Sequence, residues 1–313
     1  RISTIFDTLV AGYLQMVIGY FLPDYAEEKT TGYDFFSSAN EVVVSVLKNI
    51  VRDWSELGAA ERDQCYKPIL DEMEERFPLD EYSRIKVLVP GAGLGRLAWE
   101  IAARGYSCQG NEFSLFMLFA SNFILNRCAE ANKYTVHPWL HQYVNNVTCE
   151  HQLQAVSFPD VCPGGQRPNR FSMTAGDFLK VYTEAEQWNC VASCFFIDCA
   201  PNVIEFIERI YAILEPGGFW INLGPLLYHY SDMPSESSIE PPYDILLDII
   251  RDIGFDILKE QTGVKTKYAQ NPNSMMQHEY DSVFFVCRKA LLQTTEEKKA
   301  ETNSTLFFFQ NNS

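Results

Sequence analysis

The sequence lacks an apolar run long enough to cross a membrane, and it is poor in basic residues. Its 313 residues include 25 Lys and Arg against 41 Asp and Glu, which gives a formal net charge of −16. A membrane-spanning helix needs about 20 consecutive apolar residues, and proteins that bind nucleic-acid phosphates usually present a basic patch. We therefore expect no membrane partner and no nucleic-acid partner. The acidic balance suits a cationic small substrate, although its simpler role is to keep the surface soluble.

A secretory signal and a disulfide framework are also missing. The residues that follow Arg1 do not have the layout of a signal peptide. The cysteines number nine, which is odd, and they include no Cys-x-x-Cys pair, a usage typical of reduced thiols. We expect a cytoplasmic protein, with a nuclear location left open, in which Cys190, Cys194 and Cys199 belong to the core.

Metal ligands at a useful spacing are scarce. His137 and His141 flank Pro138-Trp139 and could be read as a metal-binding pair at helical spacing. Proline opposes a helix at this point, and no acid-rich set of partner residues lies nearby in the sequence. We predict that the protein has no metal site.

The hydrophobic pattern divides the chain into several parts. Up to about residue 77, apolar residues recur at helical spacing, as at Val43, Val46 and Ile50. A regular alternation of strand and helix patterns follows, and it is interrupted twice by stretches rich in Pro and Gly. The predicted parts are a helical region over 1–80, a main domain over 81–289 with insertions at about 133–170 and 225–242, and a tail over 290–313 that is a candidate for disorder.

The main domain has the pattern of repeated strand–helix units. Strands that alternate with helices form a mostly parallel sheet covered by helices on both faces, and ligands bind at the carboxyl ends of such strands. The last two predicted strands have no helix between them and are expected to form a hairpin. The predicted strands are 85–89, 106–112, 171–175, 190–197, 219–223, 255–265 and 280–288.

The strongest local signal is the turn after the first of these strands. Gly91, Gly93 and Gly95 follow the run Val87-Leu88-Val89-Pro90, and glycine lets the backbone approach a ligand closely. The spacing is Gly-x-Gly-x-Gly and not the Gly-x-Gly-x-x-Gly that positions a pyrophosphate in dinucleotide dehydrogenases. It favours S-adenosylmethionine, which carries no phosphate, over the cofactor of an NAD-dependent oxidoreductase. A purely structural turn remains an alternative.

Acidic residues follow the second, third and fourth predicted strands. Glu112 stands where an acid binds the ribose hydroxyls in nucleotide-binding α/β folds. Asp177 can accept a hydrogen bond from an adenine amino group and Phe178 can stack on the ring, while Asp198 can face a second substrate. Each acid has a simpler alternative as a solvated carboxylate or a helix N-cap. The recurrence of such residues at successive strand ends favours a binding site.

Four segments resemble the carnosine N-methyltransferases, a class I methyltransferase family of the N2227-like type. These segments are 87–109, 171–178, 194–198 and 220–229, and the stretch over 222–229 is specific to that family. The resemblance covers roughly residues 40–289. It implies a Rossmann-like α/β fold with a mostly parallel seven-stranded sheet and an N-terminal helical extension. It also implies methylation of the carnosine imidazole by S-adenosyl-L-methionine, which gives anserine and S-adenosyl-L-homocysteine.

The resemblance also assigns site residues. Arg52 is implied as the partner of the methionine carboxylate, since a guanidinium suits a two-point contact with a carboxylate. Asn49, one turn earlier, stands where relatives carry Gln, and Val89 stands where many class I methyltransferases, although not this family, have an acid. The residues implied at the cofactor are Asn49, Arg52, Gly91, Gly93, Gly95, Glu112, Asp177, Phe178 and Cys194. Those implied in substrate binding and catalysis are Asp198, His229 and Tyr280.

The implied reaction depends mainly on placement of the two substrates. A neutral imidazole can attack an activated methyl group, since an unperturbed pKa of about 6.5 leaves the ring mostly unprotonated at neutral pH. A carboxylate such as Asp198 on the opposite ring N–H would stabilise the developing positive charge. The alternatives are an acceptor histidine in proteins or in other peptides, and a non-catalytic methyltransferase-like binding protein. The sequence leaves a homodimer open.

Overall fold

The computed structural model describes residues 32–78, 82–164, 170–233 and 237–291. In these residues, helices precede and cover a seven-stranded sheet, as the sequence predicts. The predictions made for residues 1–31 and for 292–313 of the tail lie outside the described residues. Within the described ranges, no helix combines the length and the apolar character needed to cross a bilayer.

The main sheet consists of five parallel strands and two antiparallel ones. Its strands are β1 (Lys86–Pro90), β2 (Ser107–Glu112), β5 (Phe171–Ala175), β6 (Trp188–Cys194), β7 (Leu214–Gly224), β8 (Phe255–Thr266) and β9 (Tyr280–Lys289), while β3 (Tyr134–Val136) and β4 (Val156–Phe158) pair separately. The order across the main sheet is β5-β2-β1-β6-β7-β9-β8. This order confirms the mostly parallel sheet and the hairpin at its end. The direction of strand addition reverses between β1 and β6, where α/β sheets open a crevice for ligands.

Helices cover both faces of this sheet. They are α1 (Gly32–Trp54), α2 (Ala59–Cys65), α3 (Lys67–Arg76), α4 (Arg96–Ala103), α5 (Leu115–Arg127), α6 (Cys149–Gln152), α7 (Phe178–Val181), α8 (Val203–Ile213) and α9 (Tyr243–Ile253). Val87 and Val89 of β1 pack in one apolar cluster with Ile101 of α4. Leu88 points to the opposite face, as the alternation of a strand requires, and packs in a second cluster with Ile207 of α8.

Two strand boundaries differ from the prediction by three residues or more. β6 was predicted to end at residue 197 but ends at Cys194, because Phe195 leaves the strand in a left-handed conformation with φ of 53°. β7 was predicted to begin at 219 but begins at Leu214. The run Pro216-Gly217-Gly218 stays within the strand, beside a shift of register against β6, and does not form a turn. The earlier end of β6 opens the carboxyl edge, by which we mean the edge of the sheet where the parallel strands end.

The burial of the cysteines near β6 changes at the end of this strand. All nine cysteines are free, and Cys190 is fully buried, as predicted. Cys194 and Cys199 are only partly buried, so their assignment to the core was wrong. The physical reason is that Cys194 is the last residue of β6 and Cys199 lies beyond it, at the carboxyl edge.

The N-terminal helical extension packs directly on the glycine turn. Trp54, the last residue of α1, is fully buried, and its indole N–H donates to the carbonyl oxygen of Leu94 at 3.2 Å. Val46 and Ile50 of α1 join the same apolar cluster. Burial of these side chains stabilises the turn together with the helix, so the extension forms one wall of the main domain.

A buried ionic bridge attaches the insertion over 133–170 to the helices. The Asp160 carboxylate accepts hydrogen bonds from Nη2 of Arg62 and Nη1 of Arg96, both at 2.6 Å. These side chains are only 7–8% exposed. The Asp160 N–H also donates to the Trp54 carbonyl oxygen at 2.9 Å. Asp160 therefore attaches the insertion to α1, α2 and α4.

We predict that Asp160→Ala lowers the free energy of unfolding by about 3–5 kcal/mol, because it leaves two buried guanidinium groups without their shared partner. Urea denaturation followed by tryptophan fluorescence measures the change. Asp71→Ala is the matched control, since the Asp71–Lys67 pair is exposed and should contribute less than about 1 kcal/mol. Equal losses in the two variants would contradict the role given to the bridge.

Candidate active site

The glycine turn after β1 adopts a backbone conformation that favours glycine. The φ angles of Gly91, Gly93 and Gly95 are +62°, +55° and +85°, in the left-handed region. A Cβ atom on Gly91 would lie 2.6 Å from Cδ2 of Phe196, whereas for one on Gly93 the nearest atom outside its chain neighbours would be Oδ2 of Asp53, at 3.9 Å. A side chain at Gly91 would therefore collide with Phe196, whereas one at Gly93 would meet the Asp53 carboxylate at ordinary contact distance.

Glu112 is fixed against this turn at the end of β2. Its Oε2 accepts a hydrogen bond from the N–H of Gly93 at 2.8 Å. Its Oε1 accepts from the N–H groups of Phe113 and Ser114 at 2.9 and 2.8 Å. A carboxylate has about four lone-pair sites, two on each oxygen, so Oε2 can still accept from a ligand, whereas both sites of Oε1 are already used. The structure thus brings Glu112 to the glycine turn, as the sequence predicts.

Asp177 and Phe178 lie at the end of β5, and their local roles are structural. Asp177 caps α7 by accepting from the N–H of Leu179 at 2.9 Å, which is the simpler alternative considered for it. Phe178 is 4% exposed, and its ring lies 5.4 Å from that of Phe196 and 5.3 Å from that of Phe206. Phe178 therefore supports Phe196, the residue that packs under Gly91. Its stacking on an adenine ring stays a prediction.

Arg52, near the end of α1, is the most heavily paired side chain of the site. Its Nη1 donates to Oδ1 of Asp53 at 3.0 Å and to the hydroxyl of Tyr66, and its Nε lies 2.8 Å from a carboxylate oxygen of Glu61. The guanidinium lies over the rings of Tyr66 and Tyr268 at 4.8 and 4.7 Å. Burial alone would lower the pKa of Arg52, but the charges of Tyr66 and Asp53 raise it well above its ordinary value.

This pairing limits what Arg52 can offer to a ligand. Because Nη1 and Nε already contact acidic groups, the terminal nitrogen left for a ligand is Nη2, which lies 4.0 Å from the sulfur of Cys194. The two-point contact expected from a free guanidinium is therefore not available as the chain stands. Asn49 faces the same group of residues, since its Oδ1 accepts from the Tyr268 hydroxyl at 3.3 Å. The structure thus brings Asn49, Arg52 and Cys194 together.

The residues assigned to the substrate form a second group at the carboxyl edge. Asp198 is 2% exposed, and its Oδ2 accepts from the N–H of Leu227 at 3.0 Å. Its carbonyl oxygen accepts from the N–H of His229 at 2.9 Å, which fixes the two segments together. Burial raises the pKa of Asp198 above its usual value. His229 itself is exposed, so a buried carboxylate and an accessible imidazole lie side by side.

Phe195 connects the two groups. Its ring lies 5.8 Å from that of Tyr280 and 5.0 Å from that of Tyr268, and the Arg52 guanidinium lies 5.9 Å from its centre. Tyr280, predicted at the substrate, therefore reaches the aromatic residues around Arg52. The left-handed backbone of Phe195 makes this contact possible, because the residue leaves β6 toward the carboxyl edge.

Cys199 is a site residue that the sequence analysis assigned to the core. Its sulfur and the polar side-chain atoms of Asp198 and His229 all lie within 4.8 Å of one another. Burial, together with the charges of Asp198 and Glu112, raises the pKa of Cys199 to about 12, so its thiol is neutral at physiological pH.

The histidines considered as metal ligands lie on a turn rather than on a helix. Nδ1 of His137 lies 2.9 Å from the carbonyl oxygen of Leu153, and burial with the nearby charge of Lys48 lowers the pKa of His141 to about 4. Within the described ranges, the side chains close enough to share a metal ion are instead Asp198, Cys199 and His229. The absence of a metal stays a prediction.

Sequence reasoning missed the residues that surround Arg52. Asp53 lies in the last turn of α1, Glu61 in the short helix α2, Tyr66 between α2 and α3, and Tyr268 in a connection between strands. The sequence around the first three mixes polar and apolar residues, a pattern typical of a solvated surface. Only their burial together around one charge shows their role. The one available signal was the adjacent pair of opposite charges in Arg52-Asp53, which stands directly before the buried Trp54.

Comparison with known proteins gives a family match over most of the chain. Residues 33–291 match the protein-family model described as "Carnosine N-methyltransferase". A Drosophila melanogaster protein, "Carnosine N-methyltransferase unmet", is 58% identical over 248 residues, which cover 78% of this chain and 54% of that protein. The carnosine N-methyltransferase of Mus musculus is 53% identical over 78% of this chain and 62% of its own length. That of Schizosaccharomyces pombe is 42% identical over 79% and 70%. The chain thus spans about half to two thirds of the length of these relatives.

We predict that Asp198→Asn stabilises the fold at neutral pH. Burial raises the pKa of Asp198, so folding favours the protonated form, and the ionised carboxylate costs stability at any pH above that raised pKa. Asn is uncharged and can still accept from the N–H of Leu227. The variant should have a higher free energy of unfolding at pH 7, with an advantage that shrinks as the pH falls through the raised pKa toward the ordinary value of 3.8.

Urea unfolding of both proteins at several pH values between about 4 and 7 measures this difference. Asp244→Asn, at an exposed position of α9, is the control and should show little change with pH. A variant less stable than the parent at pH 7, or a difference independent of pH, would rule out burial as the cause of the raised pKa.

Proposed function

The chain belongs to the carnosine N-methyltransferase family, and we propose that it transfers a methyl group from S-adenosylmethionine to the imidazole ring of carnosine. The observation that carries the proposal is the buried carboxylate of Asp198, which lies beside the exposed His229 and follows by two residues Phe196, the side chain closest to Gly91 of the glycine turn. Such a site suits a ring that offers one N–H to bind and one nitrogen to methylate. The products would be anserine and S-adenosylhomocysteine.

The residues around the glycine turn fit the methyl donor. A ligand could approach the backbone at Gly93, where an added Cβ would meet no atom closer than 3.9 Å, and Oε2 of Glu112 keeps a lone pair for a ribose hydroxyl. Nη2 of Arg52 is the nitrogen that would contact the methionine carboxylate. When bound there, S-adenosylmethionine supplies a methyl group activated by its sulfonium charge. The contribution of the chain is then to orient the two reactants and to exclude water.

The acceptor side supplies charge stabilisation. A neutral imidazole becomes positively charged when one ring nitrogen gains a methyl group, and Asp198 is positioned to accept from the opposite N–H. An ionised carboxylate in a water-poor site stabilises such a charge more strongly than one in bulk water. The hydrogen bond from Leu227 holds the carboxylate in place before the ring arrives. His229 and Tyr280 would hold the ring or the polar ends of the dipeptide.

Other acceptors share this chemistry. A histidine in a protein or in another peptide presents the same ring, and the part of the relatives' length that this chain does not span can influence acceptor choice. A protein that binds the donor without turnover is the remaining alternative, and the combination of Asp198, His229 and the glycine turn argues against it. The two alternatives give different results in one assay.

The test is incubation of the protein with S-adenosylmethionine and carnosine, followed by mass spectrometry of the dipeptide and NMR assignment of the methylated nitrogen. We expect anserine in amounts that match the S-adenosylhomocysteine formed. Methylation of histidine-containing proteins or peptides with none on carnosine would favour the first alternative. Binding of the donor without product on any histidine compound would favour the second.

We predict that Asp198→Ala lowers kcat/KM for carnosine by about 10²- to 10⁴-fold, because it removes the group that stabilises the developing charge. The Kd for S-adenosylmethionine should change by less than about threefold, since Asp198 lies on the acceptor side. Steady-state kinetics and calorimetry measure the two quantities. Asp244→Ala is the control at an exposed carboxylate, and retention of turnover by Asp198→Ala would show that the carboxylate is wrongly assigned.

A further inference from the structure

A carboxylate without an assigned function lies opposite the glycine turn. Asp53, in the last turn of α1, is 1% exposed, and its Oδ2 lies 3.9 Å from the position that a Cβ atom on Gly93 would take. The atom thus lies against Gly93, the glycine of this turn at which an added Cβ would meet the fewest close atoms. This is the region that the proposed function gives to the amino-acid end of the methyl donor.

The two oxygens of Asp53 have different surroundings. Oδ1 accepts from Nη1 of Arg52 at 3.0 Å and from the hydroxyl of Tyr66 at 2.7 Å. Among the hydrogen bonds of the described residues, none ends at Oδ2. A carboxylate oxygen offers about two lone pairs to donors, and here the hydrogen bonds of the other oxygen fix the direction of Oδ2. Oδ2 is therefore held toward the turn and is ready to accept from a ligand.

The charges around Arg52 also favour binding of a positively charged group. Arg52 contributes one positive charge, whereas Asp53 and Glu61 contribute two negative charges at close range. A ligand that carried only a carboxylate would add to that excess. The amino-acid end of S-adenosylmethionine carries an ammonium group as well as a carboxylate. The carboxylate can pair with Arg52, and the ammonium group can pair with the neighbouring acidic side chains. The end of β1, Val89-Pro90, supplies no carboxylate for that ammonium group.

We propose that Oδ2 of Asp53 binds the α-ammonium group of the donor while Nη2 of Arg52 binds its carboxylate. The inference rests on the proposed function and adds a residue that recognises the donor. Asp53 and Arg52, which are adjacent in α1, would then distinguish ligands that carry a free amino-acid end from adenosyl thioethers that lack one. The contacts of Oδ1 with Arg52 and Tyr66 give this recognition a fixed geometry.

A purely structural role for Asp53 would be to orient Arg52, and Glu61 provides the comparison. Glu61 also contacts the guanidinium, at 2.8 Å, and accepts from the N–H of Ala269 at 2.8 Å. Its described contacts do not include the glycine turn. A variant of Glu61 should therefore disturb Arg52 without removing a contact to the ammonium group.

The experiment measures the Kd values of two ligands by isothermal titration calorimetry. One is S-adenosylhomocysteine, and the other is its deamino analogue, in which hydrogen replaces the α-ammonium group and the carboxylate is kept. The parent protein should bind the analogue about 10- to 100-fold more weakly, the usual effect of losing a hydrogen bond to a charged group. In Asp53→Asn this ratio should fall to about threefold or less, because the contact is already lost. In Glu61→Gln both ligands should weaken equally, with the ratio unchanged.

The outcomes separate this inference from the proposed function. A ratio that stays high in Asp53→Asn, or one near unity in the parent protein, would overturn the role of Asp53 while leaving methyl transfer possible. A parent protein that binds neither ligand would overturn the proposed function itself. Thermal unfolding checks that each variant folds. If Asp53→Asn does not, Asp53→Glu retains the charge but displaces the oxygen, and it should also reduce the ratio.

Discussion

The buried guanidinium of Arg52 is the constraint on which the rest of the site depends. A charge removed from water must be paired and hydrogen-bonded, and Arg52 meets this requirement with Asp53 and Glu61 and with the rings of Tyr66 and Tyr268. These partners come from the N-terminal helices and from the connection after β8. None of these elements satisfies the charge alone, so Arg52 joins the helical extension to the connection that leads into the final strand.

The sequence was sufficient for the elements of the fold because strand and helix patterns are local. The third predicted strand coincides with β5 at both ends, and the glycine turn followed directly from the spacing of Gly91, Gly93 and Gly95. The partners of Arg52 were not predictable in this way. Glu61 reaches Ala269 across 208 residues, and such contacts have no local pattern. The end of β6 was misjudged for a related reason, since the left-handed turn at Phe195 occurs at a residue that ordinarily extends a strand.

Several residues that the resemblance assigned to ligand binding also maintain the shape of the site. Phe178 packs on Phe196, and Phe196 closes the space under Gly91. Asp177 caps the short helix that begins at Phe178. The floor of the glycine turn is thus made of aromatic side chains in close packing, where a change of one methylene is felt. Asp177 and Phe178 can therefore serve both in ligand binding and in keeping the shape of the turn.

The antiparallel direction of β9 determines what crosses the mouth of the site. Because β9 runs opposite to β7 and β8, its first residue, Tyr280, pairs with the last residue of β8, Thr266, and both lie at the carboxyl edge. The connection over 267–279 spans that edge without contributing a strand to the main sheet. Insertions or deletions in it leave every ladder of the sheet intact. They would nevertheless displace Tyr268, whose ring lies against the Arg52 guanidinium, and Ala269, whose N–H donates to Glu61, so a change of length there would reach the buried charge directly.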